Sequence, residues 1–463
     1  MFYLIIILFI AGYAAIALEH NLKIDKAATA LVTGTLVWVC IAFGGDAIYP
    51  GMLGFQDYMQ AHPGASVLDF VTHHELIGHL GEISEILFFL LGAMTIVEVV
   101  DSHGGFSMLS KVVKTTNKVK LLWIISLLTF FMSAVLDNLT TTIVMIALMR
   151  KLIGGKNTRW FFAGLIVIAA NAGGAWSPIG DVTTIMLWIG GQITALNIIL
   201  KLFIPSLICL LVPLCVISFT MKGNVVPPSR TDRAKSMVPT TERERWIILL
   251  FGVCGLLFVP VFKSVTHLPP YVGMLFVLGA LWILTEILHR NKQKELKKRL
   301  TLAGILKNID MPTIFFFLGI LLAVAALESA GHLSLLSSFL DEKVHNIYAI
   351  NLAIGTLSAV VDNVPLVAGA MGMYDMVTPE ALAAVANPEN AAYMGHFVPD
   401  GTFWELLAYC AGTGGSMLII GSAAGVAAMG LAKINFMWYV KKISLLALAG
   451  YLSGAVVYYL IVG

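Results

Sequence analysis

Charge is what this chain has least of. Only 12% of its 463 residues are Asp, Glu, Lys or Arg, while 58% are hydrophobic. A soluble domain of that length cannot hide so much apolar surface, so a water-soluble globular protein is excluded. The net charge of +2 offers no basic field for nucleic acid. The five cysteines, Cys40, Cys209, Cys215, Cys254 and Cys410, all lie in apolar stretches, form no Cys-x-x-Cys and have no zinc spacing with histidine. They read as small buried hydrophobes. No basic region precedes the first apolar run, so residues 1–18 are expected to be a retained span and not a cleaved signal. No nucleophile or metal set of an enzyme is found, and no cofactor is expected.

What is present is a series of apolar segments, at 1–18, 27–44, 83–100, 160–190, 202–221, 246–262, 271–288, 312–327, 402–432 and 443–462. Each approaches the ~20 residues that a bilayer core requires. Two further apolar segments, 121–149 and 345–374, are interrupted by Asp137-Asn138 and Asp362-Asn363. Their arms are short, about 12–17 residues, too short for comfortable crossings.

Positive charge sets the sides. The stretch before the first interrupted segment has Lys111, Lys114, Lys118 and Lys120, and the stretch after it has Arg150, Lys151, Lys156 and Arg159. Both flanks are therefore expected inside, making 121–149 a re-entrant hairpin. Residues 344–432 contain no Lys or Arg, so 345–374 is expected to dip in from outside. The external stretch 45–81 also has none. Loops 222–245 (Lys222, Arg230, Arg233, Lys235, Arg243, Arg245) and 289–307 (Arg290, Lys292, Lys294, Lys297, Lys298, Arg299, Lys307) read as internal. Both termini then fall outside. Lys201 and Lys263 fit poorly, since both sit on sides that read as external.

The chain repeats itself. FFLLG at 88–92 matches FFFLG at 315–319, and Asp101-Ser102 stands where Glu328-Ser329 stands. SAVLDN at 133–138 matches SAVVDN at 358–363. GGAWSPIGDVTT at 173–184 matches GGSMLIIGSAAG at 414–425, with glycines in register. Each half holds five spans plus one hairpin. Five is odd, so the second half should be inverted. The expected fold is an all-α polytopic membrane protein of two inverted repeats: residues 1–222 with hairpin 121–149 and broken helix 160–190, a cytoplasmic linker at 223–245, and residues 246–463 with hairpin 345–374 and broken helix 402–432. This is a secondary-transporter plan, with the site where the halves meet near mid-membrane.

Three carboxylates fall at mid-depth: Asp137, Asp181 and Asp362. Ionisable groups there are functional candidates, although helix capping is the plainer role for the two tip aspartates. Ser133 and Ser358 each precede their Asp by four residues, which on a helix would share a face. Gly173, Gly174, Pro178 and Gly180 should break the helix beside Asp181, freeing carbonyls near Asn171, Ser177, Thr183 and Thr184. The matching break offers Thr413, Ser416 and Ser422 but no acid. Oxygens with carboxylates suit a small hard cation, and a carboxylate in low dielectric also gains affinity for protons. Sodium and protons are therefore expected to compete in the region of Asp137, Asp181 and Asp362.

HHELIGH at 73–79 falls short of His-Glu-x-x-His, because its second histidine is at 79. His74 and His79 then lie about 140° apart round a helix, unsuited to one metal. Glu82, Glu85 and Glu98 could serve as an ion funnel or pH sensor, with solvated or capping carboxylates as the plain case. His103 could titrate near neutrality, with a surface-loop histidine as its plain case.

HLGEISEILFFLLGAMTIVEVVDSHGGF at 79–106, the two Asp-Asn tips and NAGGAWSPIGDVTT resemble the NhaD-type sodium/proton antiporters of the ion transporter superfamily. The resemblance covers essentially the whole chain. It implies Na⁺ or Li⁺ exchange for H⁺, a homodimer in a bacterial cell membrane, and a transport domain moving elevator fashion. It places functional positions on Asp137, Asn138, Asn171, Asp181, Thr183, Thr184, Ser358, Asp362, Asn363, Ser416 and Ser422. The dicarboxylate carriers of the superfamily have Ser-Asn-Thr tips, so Asp-Asn here favours a cation. An oxyanion or dicarboxylate carrier on the same fold is the alternative; a membrane enzyme or a channel fits less well.

Overall fold

A computed structural model describes residues 1–108, 115–226, 240–290, 292 and 300–462, excepting the side chains of His20, Asn21 and Leu53. Lys111, Lys114, Arg230, Arg233, Lys235, Lys294, Lys297, Lys298 and Arg299, on which the expected sidedness leans, lie outside the described residues. So does most of the expected linker 223–245. No β-strand occurs among the described residues, and the chain is an all-α, multi-pass membrane protein.

The main helices are α1 (Phe2–Ala17), α2 (Lys26–Ile48), α3 (Ile77–Ser102), α4 (Lys118–Leu136), α5 (Asn138–Leu152), α6 (Lys156–Ala175), α7 (Val182–Ile189) and α8 (Ala195–Thr220). They continue with α9 (Glu242–Thr266), α10 (Pro270–Leu288), α11 (Met311–Ser329), α12 (Ile347–Leu357), α13 (Asn363–Met373), α14 (Thr402–Gly414), α15 (Ala423–Ala432) and α16 (Leu445–Val462). Caps mark the starts where the sequence provides them. Asp25 accepts from Ala27 N at 2.8 Å ahead of α2, and Thr241 with Glu244 forms a capping box on α9.

Eight helical stretches of the described residues are long and apolar enough to cross a membrane. Seven of the ten expected spans are among them. Residues 1–18 form a helix of only 16 residues, and 160–190 and 402–432 are each split by a break. The span expected at 83–100 begins much earlier, because helical structure runs from Val67 through a π-turn at Phe70–Leu76 into α3. Its polar look, with His73, His74 and Glu75, disguised it. Aromatic rings hold it: Phe70 lies 5.1 Å from Tyr49 and 5.2 Å from both Phe55 and Tyr58. The arms also differ from expectation. α4 has 19 residues, enough by length to cross, while α12 and α13 have 11 each.

The chain forms two compact units, each drawing on both halves of the sequence. One comprises residues 1–90, 310–346 and 364–375. Within it α2 and α11 pack closely at glycines: a Cβ on Gly319 would stand 2.4 Å from Leu31 N, and one on Gly34 2.6 Å from Gly319 O. Lipid tails are as apolar as leucine, so helices in a bilayer associate through such close packing and not through hydrophobic exclusion. The other unit comprises 91–309, 347–363 and 376–463. There α16 packs on α8, with Gly450 against Cys209 O and Gly454 against Pro205 O.

Candidate functional site

The second unit contains every residue expected in the cation site. Four interruptions of helix build it. α4 gives way to α5 at Asp137, α6 to α7 across 176–181, α12 to α13 across 358–362, and α14 to α15 across 415–422.

The two breaks of the longer helices are alike. Asp181 caps α7 from an extended backbone at φ −146°, ψ 150°, and Ser422 caps α15 at φ −146°, ψ 155°. A Cβ on Gly173 would meet Phe130 O at 2.2 Å, and one on Gly414 would meet Gly355 O at 2.0 Å. Only glycine allows backbone to approach backbone in this way. A Cβ on Gly180 would stand 2.9 Å from Ser133 O, and one on Gly421 2.5 Å from Ser358 O.

The serines complete the pattern. Ser133 Oγ donates to Ala170 O at 2.5 Å, and Ser358 Oγ donates to Ala411 O at 2.9 Å. This corrects the shared-face expectation. Asp137 is not helical, having φ 69° and ψ 163°, and Ser358 lies beyond the end of α12. Each serine ties its tip to the neighbouring broken helix.

Asp181 is the hub. It is 1% exposed, and its carboxylate accepts from Thr183, Asn138 and Asn363. Thr183 supplies its N–H at 3.1 Å and its hydroxyl at 3.0 Å to Oδ1. Asn138 Nδ2 donates to Oδ2 at 2.6 Å, and Asn363 Nδ2 lies 3.3 and 3.4 Å from the two oxygens. Asn138 also donates to Asn171 Oδ1 at 3.1 Å. Asn171 Nδ2 in turn reaches Ser416 Oγ and Ser422 Oγ, both at 2.9 Å. Thr184 closes the cap, its hydroxyl donating to Asp181 O at 2.9 Å. Eight of the twelve residues expected at the site (Asn138, Asn171, Asp181, Thr183, Thr184, Asn363, Ser416 and Ser422) thus form one buried, connected polar network, whose satisfied members hold one another in place.

Asp137 and Asp362 stand beside this network. Asp137 caps α5, accepting from Thr140 N and Thr140 Oγ1, both at 2.8 Å. Both carboxylates lie near enough to act on the charge of Asp181. Among the described residues, however, no three His, Cys, Asp or Glu side chains stand together as one metal ion would need. Asp137 and Asp362 thus flank a site that is centred on Asp181 and richer in amides and hydroxyls than in acids.

The funnel and sensor candidates are not brought together. Glu82 and Glu98 are about 24 Å apart along α3 at ~1.5 Å per residue. Glu82 is exposed beside His79, whereas Glu98 accepts from Ser102 Oγ at 3.0 Å and Asn308 Nδ2 at 3.1 Å. Glu85 is half-buried. His103 is not a surface-loop residue. It is fully buried, with Nε2 2.7 Å from His289 Nε2 and Nδ1 2.6 Å from Val99 O. Burial pushes its imidazole down to about 4, with nearby His289 and Lys292 adding to the effect. It is neutral at physiological pH and does not titrate there, contrary to the sensor expectation.

Sequence reasoning missed two features. His289 is the buried partner of His103. Glu405, at 2% exposure, accepts from Tyr458 Oη at 2.5 Å and from Asn197 Nδ2, with Lys201 acting on it electrostatically. An acid inside the apolar stretch 402–432 was the available signal for Glu405.

The citrate transporter family model, CitMHS, matches residues 7–394. Sodium/proton antiporter 1 of Arabidopsis thaliana is 43% identical over 98% of this chain and 71% of that protein. Sodium/proton antiporter 2 of the same plant is 42% identical over 98% of both. The Na(+)/H(+) antiporter NhaD of Vibrio cholerae is 31% identical over 99% of this chain and 91% of its own length. Among solved structures, the YdaH transporter of Alcanivorax borkumensis superposes with a TM-score of 0.55 at 10% identity, covering 95% of this chain and 98% of that one. That likeness speaks for the fold alone.

Proposed function

Because the chain belongs to the NhaD-type sodium/proton antiporters of the ion transporter superfamily, we propose that it exchanges Na⁺ or Li⁺ for H⁺ across the membrane, with Asp181 as the group both ions compete for. It is a transporter and not an enzyme. The observation carrying this reading is the hub: one buried carboxylate among Asn138, Asn171, Asn363, Thr183, Thr184, Ser416 and Ser422.

The exchange rule follows from charge. In the state seen here the Asn138 and Asn363 amides turn their N–H groups to Asp181. Sodium requires oxygen ligands, so loading turns these amides to offer Oδ1. A carboxylate with Na⁺ is neutral overall, and so is a protonated carboxyl. An empty ionised hub is the costly species in low dielectric, so it does not carry the site across. Crossing only when loaded produces exchange. Asp137 and Asp362 supply the surrounding negative field that draws a cation in.

The matched contacts around Ser133 and Ser358, and around Gly173 and Gly414, support an inverted repeat with re-entrant tips. We extend the proposal to elevator-type movement, a homodimer, external termini and a bacterial cell membrane. An anion carrier is the second reading, prompted by the citrate transporter description of the matching family. An acid at the hub would repel a carboxylate substrate, which disfavours it.

The test is fluorescence dequenching in everted vesicles with an imposed pH gradient, adding NaCl, LiCl, KCl or sodium-free organic anions. Dequenching by Na⁺ and Li⁺, lost in Asp181→Asn and weakened in Asp137→Asn and Asp362→Asn, is expected. Silence with every cation, or a fully active Asp181→Asn, would overturn the proposal and turn attention to labelled dicarboxylate or arsenite uptake.

A further inference from the structure

Lys263 is one of two lysines whose expected side did not suit them, and its contacts explain its place. It sits in the last turn of α9, half-buried, and its Nζ donates to Trp188 O at 2.6 Å. The ammonium also lies 4.8 Å from the centroid of the Trp188 indole, which is buried. Trp188 belongs to the last turn of α7, where carbonyls lack intrahelical donors and carry the negative end of the helix dipole. A cation is favoured there, all the more where little water competes.

α7 is only 8 residues long, and its other end is capped by Asp181. Lys263 and the hub therefore occupy opposite ends of one helix about 12 Å long. One end of α7 is set by hydrogen bonds to the Asp181 carboxylate; the other is held by a lysine from a long helix that packs on α10.

We propose that Lys263 is a positioning residue for transport: it tethers α7 to α9 in the state seen here and must let go when the site turns to face the other side. This rests on the exchange reading. Asp181 caps α7, so movement of the site carries α7 with it. In this proposal α9 does not follow, so that the bond from Lys263 to the Trp188 carbonyl exists in one end state and not in the other. The tether thus weights one state over the other, and a ligand meets different populations from the two sides of the membrane.

The experiment measures Na⁺/H⁺ exchange in right-side-out and everted vesicles for wild type, Lys263→Met and Lys263→Arg, with membrane abundance followed by immunoblot. Loss of the tether should raise the apparent Na⁺ affinity on one face and lower it on the other, each by about 3-fold, the size of a charge acting on a helix end. Lys263→Arg, which keeps charge and donors, should return both values towards wild type. If Lys263→Met does not reach the membrane, Lys263→Gln is read in the same way. A Lys263→Met protein that is unchanged on both faces, or weakened alike on both, overturns the tether while leaving exchange intact. Wild type that exchanges no cation overturns the exchange reading and the tether with it.

Discussion

The tips at 133–138 and 358–363 carry nearly the same sequence, SAVLDN and SAVVDN, and do not share a backbone. In the first, α4 stays helical to Leu136 and turns within the single residue Asp137, at φ 69°. In the second, α12 stops at Leu357 and the chain needs a turn through 358–361 to reach Asn363. A non-glycine residue in the conformation of Asp137 costs about 1–3 kcal/mol. Its two bonds to Thr140 offset part of that. What the tips share is contact: a serine hydroxyl on a broken-helix carbonyl, and an asparagine amide on Asp181. The lesson is that the motif encodes a set of partners and leaves the local fold to its surroundings. The halves differ also at the hub, since the position of Asp181 is taken by Ser422 in the second half.

That last asymmetry predicts the largest effect. Asp181→Asn should abolish Na⁺-dependent dequenching at normal membrane abundance, because a neutral amide removes the charge and faces two donors. Ser422→Ala should retain most of the activity; equal losses in the two variants would mean that the hub is shared evenly between the halves.

The next effect tests likeness. Gly173→Ala and Gly414→Ala each drive a Cβ into backbone, at Phe130 O and Gly355 O. Both should lower stability by about 3 kcal/mol through overpacking, seen as a fall in melting temperature of the detergent-solubilised protein. One tolerated substitution would break the match between the halves.

Ser133→Ala and Ser358→Ala should each cost about 1 kcal/mol, the scale of interhelical hydrogen bonds in membranes. Matching shifts in thermal unfolding would support equivalent tips despite their different backbones.

The smallest effect lies away from both tips. The His103 imidazole sits at about 4 against an ordinary 6.5, so the unfolded chain takes up the proton first as pH falls. The stability this buried pair contributes is fully present above 6.5 and is lost progressively as pH drops towards 4. The melting temperature of wild type should fall more steeply between pH 7 and pH 5 than that of His103→Phe.

Much of this protein was legible in its residues one after another. Apolar runs against 12% charge declare a membrane protein, because the cost of an unpaired backbone in lipid leaves helices as the solution for such runs. Glycine and proline beside Asp181 announced the broken helix, and recurring Ser, Asp, Asn and Gly marked the residues of the network. Those signals are local, set by hydropathy and backbone freedom. Tertiary structure alone decided who meets whom. It made Asp181 the hub and left Asp137 as a helix cap, because amides from two distant segments converge only on the former. It buried His103 against His289, 186 residues away. It also set Lys201 where its charge acts on Glu405 and gave Lys263 a partner at the end of α7. A charge count along the chain registers a lysine's sign; only packing shows the acid or carbonyl that makes its position tolerable in a medium with so little water.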